Sequence, residues 1–327
     1  MAADSLLGGA SAVASLSQSA KDLINAVLAD SVSKDGNTPK TDQLLGGTLV
    51  TATGANAEKQ VVLATNAAFS GNVDLGALVA NVQAPANVAV AAEGLAAEAT
   101  AAQAKDYFTS LINAALPSGQ STQKEALTKA VELVTTGAAA PTDKAAVKVI
   151  SVSDSAANSS GNQVKITGTG TTQEIVALNV SGLSSGKTLV VENLERAVIV
   201  GGGTVQVSGT TPAFVAGDAS NQSIAGGSGA DTLVGGGGSD TLAGGAGADK
   251  FGFVSGGNYT IADLGTGDKL AFSFTGLTTF NQLAAAVTGI SQAGGNTTYS
   301  FAGGSSITLV GLSPTQVTAD LIQFTLT

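Results

Sequence analysis

The chain of 327 residues contains no His, Cys or Trp, and its 24 Asp and Glu against 14 Lys and Arg give a formal net charge of −10. Without His and Cys, the chain cannot form a Ser-His-Asp triad, a cysteine nucleophile, a zinc finger or the usual haem and iron–sulfur sites. Any bound metal must therefore be held by oxygen. The negative net charge also repels the phosphate backbone of nucleic acids, so nucleic acid is not an expected partner.

Ala-rich segments with helical spacing occupy residues 1–145 and are separated by Gly, Pro and Asn. We predict helices over residues 11–32 and 95–116, and a third helix that has Ser121 as its N-cap and Leu127 and Val131 on its apolar face. Residues 45–54 are instead typical of a short strand and turn. These segments predict a mainly α-helical domain over residues 1–145, with a role in anchoring or assembly.

Export and membrane segments are not evident near the N-terminus. The first twenty residues carry Asp4 before any Lys and have no long apolar run, so a secretory signal peptide is not expected. The apolar stretch 75–92 is interrupted by Asn81 and Pro85 and is too short to cross a bilayer. We expect no transmembrane helix.

The composition changes at Ala146 to short β-branched runs that end in Gly, Ser or Asn. These runs predict an all-β domain over residues 146–216. Further strands are predicted within residues 269–276 and 297–312. Because most Phe residues lie beyond Lys250, we expect a dense core in a β-rich C-terminal region over residues 271–327.

Residues 226–252 consist of three units with a period of nine: GGSGADTLV, GGGGSDTLA and GGAGADKFG. Each unit follows the pattern G-G-x-G-x-D-x-U-x, in which U is apolar. The glycines permit a turn that aims its carbonyls at one point, and the Asp adds a short carboxylate. Oxygen ligands of this kind suit Ca²⁺. The apolar residues at the eighth positions, Leu233, Leu242 and Phe251, with Ile224 one unit earlier, should point inward between two small sheets.

If two units make one coil of a roll, units two apart share an edge. Asp231 and Asp249 then lie on one edge, and Asp240 lies on the other edge between Gln222 and Asn258. Because those two neighbours are neutral amides, we expect the Asp240 edge to bind Ca²⁺ more weakly. Asp263 and Asp268 stand beside glycines in the position of a closing cap. The predicted metal ligands are Asp218, Gln222, Gly226, Ser228, Asp231, Gly235, Gly237, Asp240, Gly244, Ala246, Asp249, Asn258, Asp263 and Asp268.

Other interpretations of these motifs are weaker. A Gly-rich linker with Asp at chance spacing would not place an apolar residue at the same offset in every unit. Glu192 and Glu195 are the nearest candidates for a carboxylate pair of a glycosidase or lyase, although a solvated loop pair beside Arg196 explains them much better. The segment IVGGGTVQV is not followed by the helix that a nucleotide-binding glycine loop requires.

Residues 217–270 resemble the RTX repeats of Gram-negative proteins that are exported by type I secretion. The last residues, 320–327, begin with Asp320 and continue with apolar residues that include Phe324, up to Thr327. This pattern is similar to the uncleaved C-terminal signal of that family. The resemblance implies a short parallel β-roll over residues 217–270. Together with the domains predicted above, this gives an α+β multidomain protein, with an N-terminal Ala-rich α-helical domain, an all-β domain, the β-roll and a β-rich cap. The resemblance also implies that extracellular Ca²⁺ acts as the folding switch.

The acidic, cysteine-free composition further resembles RTX surface-layer proteins. The resemblance implies a secreted, non-enzymatic structural protein that self-assembles into a cell-surface layer or an extracellular matrix filament. The implied partners are other copies of the chain, the type I secretion machinery and an outer-membrane polysaccharide. Two alternatives stay open at this point: a secreted polysaccharide-acting enzyme, and a monomeric adhesin or effector, each using the repeats only for export and folding.

Overall fold

The computed structural model describes residues 40–45, 48–52, 58–64, 78–85, 88–95, 98–116, 120–136, 144–154, 163–168, 174–184, 186–254, 256–274 and 276–326. The helix predicted over residues 11–32 lies outside this part of the chain. The described residues form two compact units, one within residues 1–104 and 141–194 and the other within residues 105–140 and 195–327. The predicted boundaries after residues 145, 216 and 270 stay predictions.

The first unit contains two sheets. The strands of one sheet, in spatial order, are β1 (Lys40–Leu45), β2 (Thr48–Ala52), β3 (Glu58–Ala64), β4 (Leu78–Pro85), β7 (Gln163–Gly168) and β9 (Thr188–Glu192). The other sheet orders β5 (Val88–Gly94), β6 (Ala146–Asp154) and β8 (Glu174–Gly182). Neighbours are antiparallel except for the parallel pairs β6–β8 and β7–β9. Ile150, Ile166, Leu178 and Leu189 are fully buried in this unit.

The mainly α-helical N-terminal domain is not confirmed, because strands β1 to β5 lie within residues 40–94. Ala favours helices, but each of β3, β4 and β5 also carries β-branched Val, which favours extended backbone. Pairing with neighbouring strands then outweighs the modest helical preference of Ala.

Two helices confirm the later part of that prediction. They are α1 (Ala101–Ala115), most of which lies in the second unit, and α2 (Ser121–Thr135). Helix α2 buries the predicted apolar face, including Leu127 and Val131, and packs against strands of the second unit at residues 196–200 and 214–216. Its N-cap is Gln120, so the prediction of Ser121 as N-cap is wrong by one residue.

The second unit is built around two parallel sheets that the chain visits alternately. One sheet contains β10 (Arg196–Val200), β12 (Phe214–Ala216), β14 (Thr232–Val234), β16 (Lys250–Phe253), β18 (Lys269–Phe272) and β22 (Ile322–Gln323). The other contains β11 (Gly203–Ser208), β13 (Gln222–Ala225), β15 (Ser239–Ala243), β17 (Asn258–Ile261) and β21 (Ser306–Leu309). The eighth-position residues Ile224, Leu233, Leu242 and Phe251 are at most 1% exposed, which confirms the inward row of the predicted β-roll.

The C-terminal end of the second unit closes the roll. After β18 come helix α3 (Phe280–Ala286) and an antiparallel hairpin of β19 (Val287–Ala293) and β20 (Asn296–Phe301), which extends the sheet beyond β21. The Phe253 ring packs against Phe272 and Tyr259, with centroids 4.9 Å and 5.1 Å apart. The dense aromatic core expected from the composition is therefore present here.

None of the helices in the described ranges combines the length and the hydropathy that a membrane-crossing segment needs.

Candidate metal centre

The turns of the repeats stack in two columns, one along each edge of the roll. On one edge, the N–H of Ala246 donates to the carbonyl of Gly227, 3.0 Å away. On the other edge, the N–H of Gly237 donates to the carbonyl of Asp218, 2.8 Å away. Successive turns of one column therefore touch through their backbones, and carbonyl oxygens of one turn lie against the next turn.

Glycine is required where these turns meet. Gly236 and Gly245 have φ angles of +90° and +89°, which L-residues with side chains rarely adopt. A Cβ at Gly245 would collide with the Gly227 carbonyl oxygen, and a Cβ at Gly235 would collide with Oδ2 of Asp240. The spacing of the glycines thus leaves room for converging carbonyl and carboxylate oxygens.

The Asp residues of the repeats form a ladder along each edge. Oδ1 of Asp249 accepts the N–H of Asp231 at 2.8 Å, and Oδ1 of Asp268 accepts the N–H of Asp249 at 2.9 Å. On the opposite edge, Oδ1 of Asp240 accepts the N–H of Gln222 at 2.8 Å. Oδ1 of Asp231 likewise accepts the N–H of Ala213 at 2.8 Å. These four carboxylates are buried, with at most 4% of each residue exposed. One oxygen of each carboxylate is thereby fixed to the preceding coil.

The second carboxylate oxygens differ among these residues. Oδ2 of Asp231 accepts the N–H of Gly227 at 2.8 Å, and Oδ2 of Asp268 accepts the N–H of Gly265 at 2.7 Å. Oδ2 of Asp240 and Oδ2 of Asp249 are buried and find no hydrogen-bond donor among the described residues. A buried anionic oxygen without a donor is unstable unless it gains a proton or a cation.

Burial raises the pKa of Asp240 to about 7, with the Gln222 N–H opposing this rise and the negative charge of Asp218 adding to it. Burial also raises the pKa of Asp231 and of Asp249. The electrostatics of the turns therefore disfavour carboxylates that have no compensating positive charge.

A bound cation has to be completed by backbone oxygens. The described residues contain no group of three or more Asp, Glu, His or Cys side chains that converge on one point. A carboxylate with several carbonyls is nevertheless a donor set that Ca²⁺ accepts, because this ion takes six to eight oxygen ligands in flexible geometry. The residues present therefore fit Ca²⁺.

The edge that carries Asp240 differs from the sequence prediction. Tyr259, not Asn258, lies opposite Asp240 in the parallel pair of β15 and β17, and Asn258 lies opposite Ser239. Equivalent residues of β15 and β17 are separated by one residue more than two nonapeptides, and this extra residue shifts the register. In the sequence, the extra residue is visible as the wider spacing from Leu242 to Ile261. The Tyr259 hydroxyl donates to the Gly236 carbonyl at 2.5 Å.

The Asp pair predicted as a closing cap divides into two roles. Asp268 continues the ladder of Asp231 and Asp249 in the turn that follows the regular repeats. Asp263 accepts the N–H groups of Gly244 at 2.7 Å and Gly245 at 2.9 Å and thereby covers the last turn of that edge. Ser228 is exposed and donates its hydroxyl to the Gly209 carbonyl at 3.0 Å.

Asp218 is satisfied by protein donors. This fully buried carboxylate accepts the N–H groups of Gly201 at 2.7 Å and Ser220 at 2.8 Å, and the side-chain amides of Gln222 and Gln123 at 2.5 Å each. Gln222 keeps a buried Oε1 without a donor in the described structure. Gln123 was missed by sequence reasoning, because nothing in the pattern of α2 singles it out.

The family of the RTX calcium-binding nonapeptide repeat, in four copies, matches residues 217–251. These residues are RTX repeats. The match adds a fourth, irregular copy at 217–225 to the three regular ones. RTX repeats bind Ca²⁺, so the chain is a calcium-binding protein. A search of curated proteins finds no match to this chain.

Proposed function

We propose that this protein is a secreted structural protein whose RTX roll folds on extracellular Ca²⁺ and whose folded form assembles into a surface layer or an extracellular filament. The observation that carries the proposal is the pair of buried carboxylate oxygens, Oδ2 of Asp240 and Oδ2 of Asp249, that have no donor among the described residues. Each of these two atoms needs a proton or a cation in the folded roll, so bound Ca²⁺ would stabilise the fold.

Two groups of residues would hold the ions. On one edge, the carbonyls of Gly217 and Asp218 lie close to Gly236, and Oδ2 of Asp240 lies close to the neighbouring Gly235. On the other edge, Asp249 lies in the turn that the carbonyls of Gly226 and Gly227 approach. Bound calcium supplies the positive charge and the oxygen coordination that these atoms lack.

The dependence on Ca²⁺ would separate folding from export. A ligand that binds only the folded state stabilises that state by RT ln(1 + [L]/Kd). Extracellular calcium modules have Kd values of about 10⁻⁴–10⁻³ M, so their sites are empty at cytosolic calcium and filled outside. In the cytosol, repulsion among the ladder carboxylates would lower the stability of the folded roll and favour the unfolded chain that secretion requires.

We also propose that the chain acts without catalysis. The two carboxylates considered for glycoside chemistry are engaged in ion pairs: Glu192 with Lys165 at 2.8 Å in the first unit, and Glu195 with Arg196 at 3.2 Å in the second unit. Neither contact resembles the pair of opposed carboxyl groups that flanks a glycosidic bond. Structural ion pairing explains both residues.

The test is electron microscopy of purified protein titrated from EGTA into millimolar Ca²⁺. The wild-type protein is compared with Asp240→Asn/Asp249→Asn and with a control of equal charge change, Glu98→Gln/Asp106→Asn, at exposed positions. Ordered sheets or filaments that require Ca²⁺ and form in the control but not in the site variant support the proposal. Wild-type protein that folds on Ca²⁺ yet stays monomeric contradicts self-assembly.

A further inference from the structure

Strand β19 forms one end of its sheet in the second unit. Its inner edge pairs with β20, and no strand in the described ranges pairs with its outer edge. Six of its seven residues are exposed, from Thr288 to Ala293. The strand contains no Pro and no charged residue, although natural sheets commonly use both to block the pairing of edge strands. The outer edge of β19 is therefore an unprotected template for another strand.

An apolar cavity of about 410 Å³ lies against one face of this strand. Its walls include Phe280 and Leu283 of α3, Ile290 of β19 and Phe301 of β20. Phe280 is 37% exposed and Ile290 is 56% exposed, and these are two of the most exposed large apolar side chains in the described structure. A strand added beside β19 would cover apolar surface as well as backbone groups.

The charge pattern indicates what that strand belongs to. Residues 270–319 contain no Asp, Glu, Lys or Arg, whereas the whole chain carries a net charge of −10. Two copies of this acidic chain repel each other over most of their surface, and they repel least where this uncharged segment meets its counterpart. An uncharged edge also offers no attraction to a charged partner. The pattern favours a second copy of the same chain.

We propose that β19 pairs in antiparallel orientation with β19 of a second copy, so that the sheet continues across a two-fold axis. The inference rests on the proposed self-assembly and names one of its contacts, the one that joins two copies into a dimer. A two-fold contact brings the same surface of both copies together, and an antiparallel strand pair has this symmetry. Because an axis perpendicular to the sheet keeps each face on its own side, the two cavities come to lie side by side with the Ile290 side chains between them.

The first experiment places a charge on the edge. Ile290→Lys and Ser291→Lys put Lys on opposite faces of β19, and Gln206→Lys puts the same charge on an exposed position of β11, a strand that pairs with β13. Sedimentation in millimolar Ca²⁺ measures association. We expect the dissociation constant of the dimer to rise at least tenfold in both β19 variants and to stay at the wild-type value in Gln206→Lys.

The second experiment uses the absence of Cys from the sequence. Single variants Ile290→Cys and Gln292→Cys are oxidised in Ca²⁺, with Gln206→Cys as control. We expect disulfide-linked dimers from a β19 variant and none from the control, because antiparallel neighbours lie within disulfide range. Ser291→Lys, at an exposed position, must keep the wild-type circular dichroism and Ca²⁺-dependent melting, which separates loss of pairing from loss of folding.

The outcomes separate this inference from the proposed function. A wild-type protein that stays monomeric in Ca²⁺ overturns self-assembly altogether. A wild-type protein that assembles, with both Lys variants assembling equally well and with no cross-link at β19, overturns only the pairing of β19. Loss of association in the Lys variants together with cross-linking at β19 supports the pairing.

Discussion

Gln123 in helix α2 holds Asp218 at the first turn of the roll, although 95 residues separate them in the sequence. Its Nε2 donates to the Asp218 carboxylate, and its Oε1 accepts the N–H of Ala219 at 3.2 Å. The helix thus supplies to Asp218 the kind of partner that Oδ2 of Asp240 lacks one coil later. At this end of the roll, protein donors therefore satisfy the Asp218 carboxylate.

Removal of this contact should destabilise the roll in the absence of Ca²⁺. Gln123→Ala leaves the buried Asp218 without one of its donors, and we expect a loss of about 1–3 kcal/mol in the free energy of unfolding. Urea unfolding in EGTA measures this loss. Glu125→Ala, at an exposed position of the same helix, is the control. Equal stability of the two variants would contradict a capping role for Gln123.

Asp249→Asn should have opposite effects with and without Ca²⁺. Without Ca²⁺ the variant removes a buried carboxylate that has no full set of donors, so we expect stability equal to or above that of the wild type. With Ca²⁺ we expect an affinity about tenfold weaker, equivalent to about 1.4 kcal/mol of binding free energy. Calorimetric titration and thermal melts in EGTA measure the two effects. A variant that binds Ca²⁺ as tightly as the wild type would remove Asp249 from the site.

The Ca²⁺-free protein should lose stability as the pH rises through neutrality. Burial raises the pKa of Asp240 to about 7 in the folded chain, far above its ordinary value of 3.8. The folded state therefore keeps a proton that the unfolded chain releases. The resulting stability is fully present below pH 3.8 and is lost as the pH rises through about 7.

Thermal melts in EGTA between pH 5 and 8 follow this loss, and Asp240→Asn should flatten the profile. Calcium affinity should change in the opposite direction and increase over the same range, because the ion competes with the proton for the carboxylate. A Ca²⁺-free melting temperature that rises from pH 5 to pH 8 would contradict the protonated state of Asp240.

Tyr259 should report on the metal site of its edge. Its hydroxyl donates a hydrogen bond to the carbonyl of Gly236, which lies four residues before Asp240. Since the chain has no Trp, Tyr is the most efficient sensitiser available for Tb³⁺ bound in place of Ca²⁺. We expect Tyr259→Phe to remove most of the sensitised emission. Tyr107→Phe and Tyr299→Phe serve as controls and should retain it; emission that depends on either of these would place the ion elsewhere.

The turns of the roll, its inward apolar row and several strands could be predicted from short sequence patterns. The nonapeptide period specifies the turns, because glycine readily adopts the positive φ angles found at Gly236 and Gly245. The period also specifies the inward apolar row, because Leu233, Leu242 and Phe251 recur at the same position of each unit and are buried. The change to β-branched runs at Ala146 likewise predicted strands β6 to β11. These features depend on neighbours within a few residues and can be recognised without the fold.

The tertiary structure alone decided the rest. One extra residue between β15 and β17 puts Tyr259 where the period predicts Asn258, and Gln123 reaches Asp218 from a distant helix. Oδ2 of Asp231 accepts the N–H of Gly227 in its own turn, whereas the equivalent N–H of Gly245 donates to Asp263 one coil later, so Oδ2 of Asp249 has no donor among the described residues. Such contacts arise when distant segments come into register, and a single inserted residue changes that register without changing any local motif.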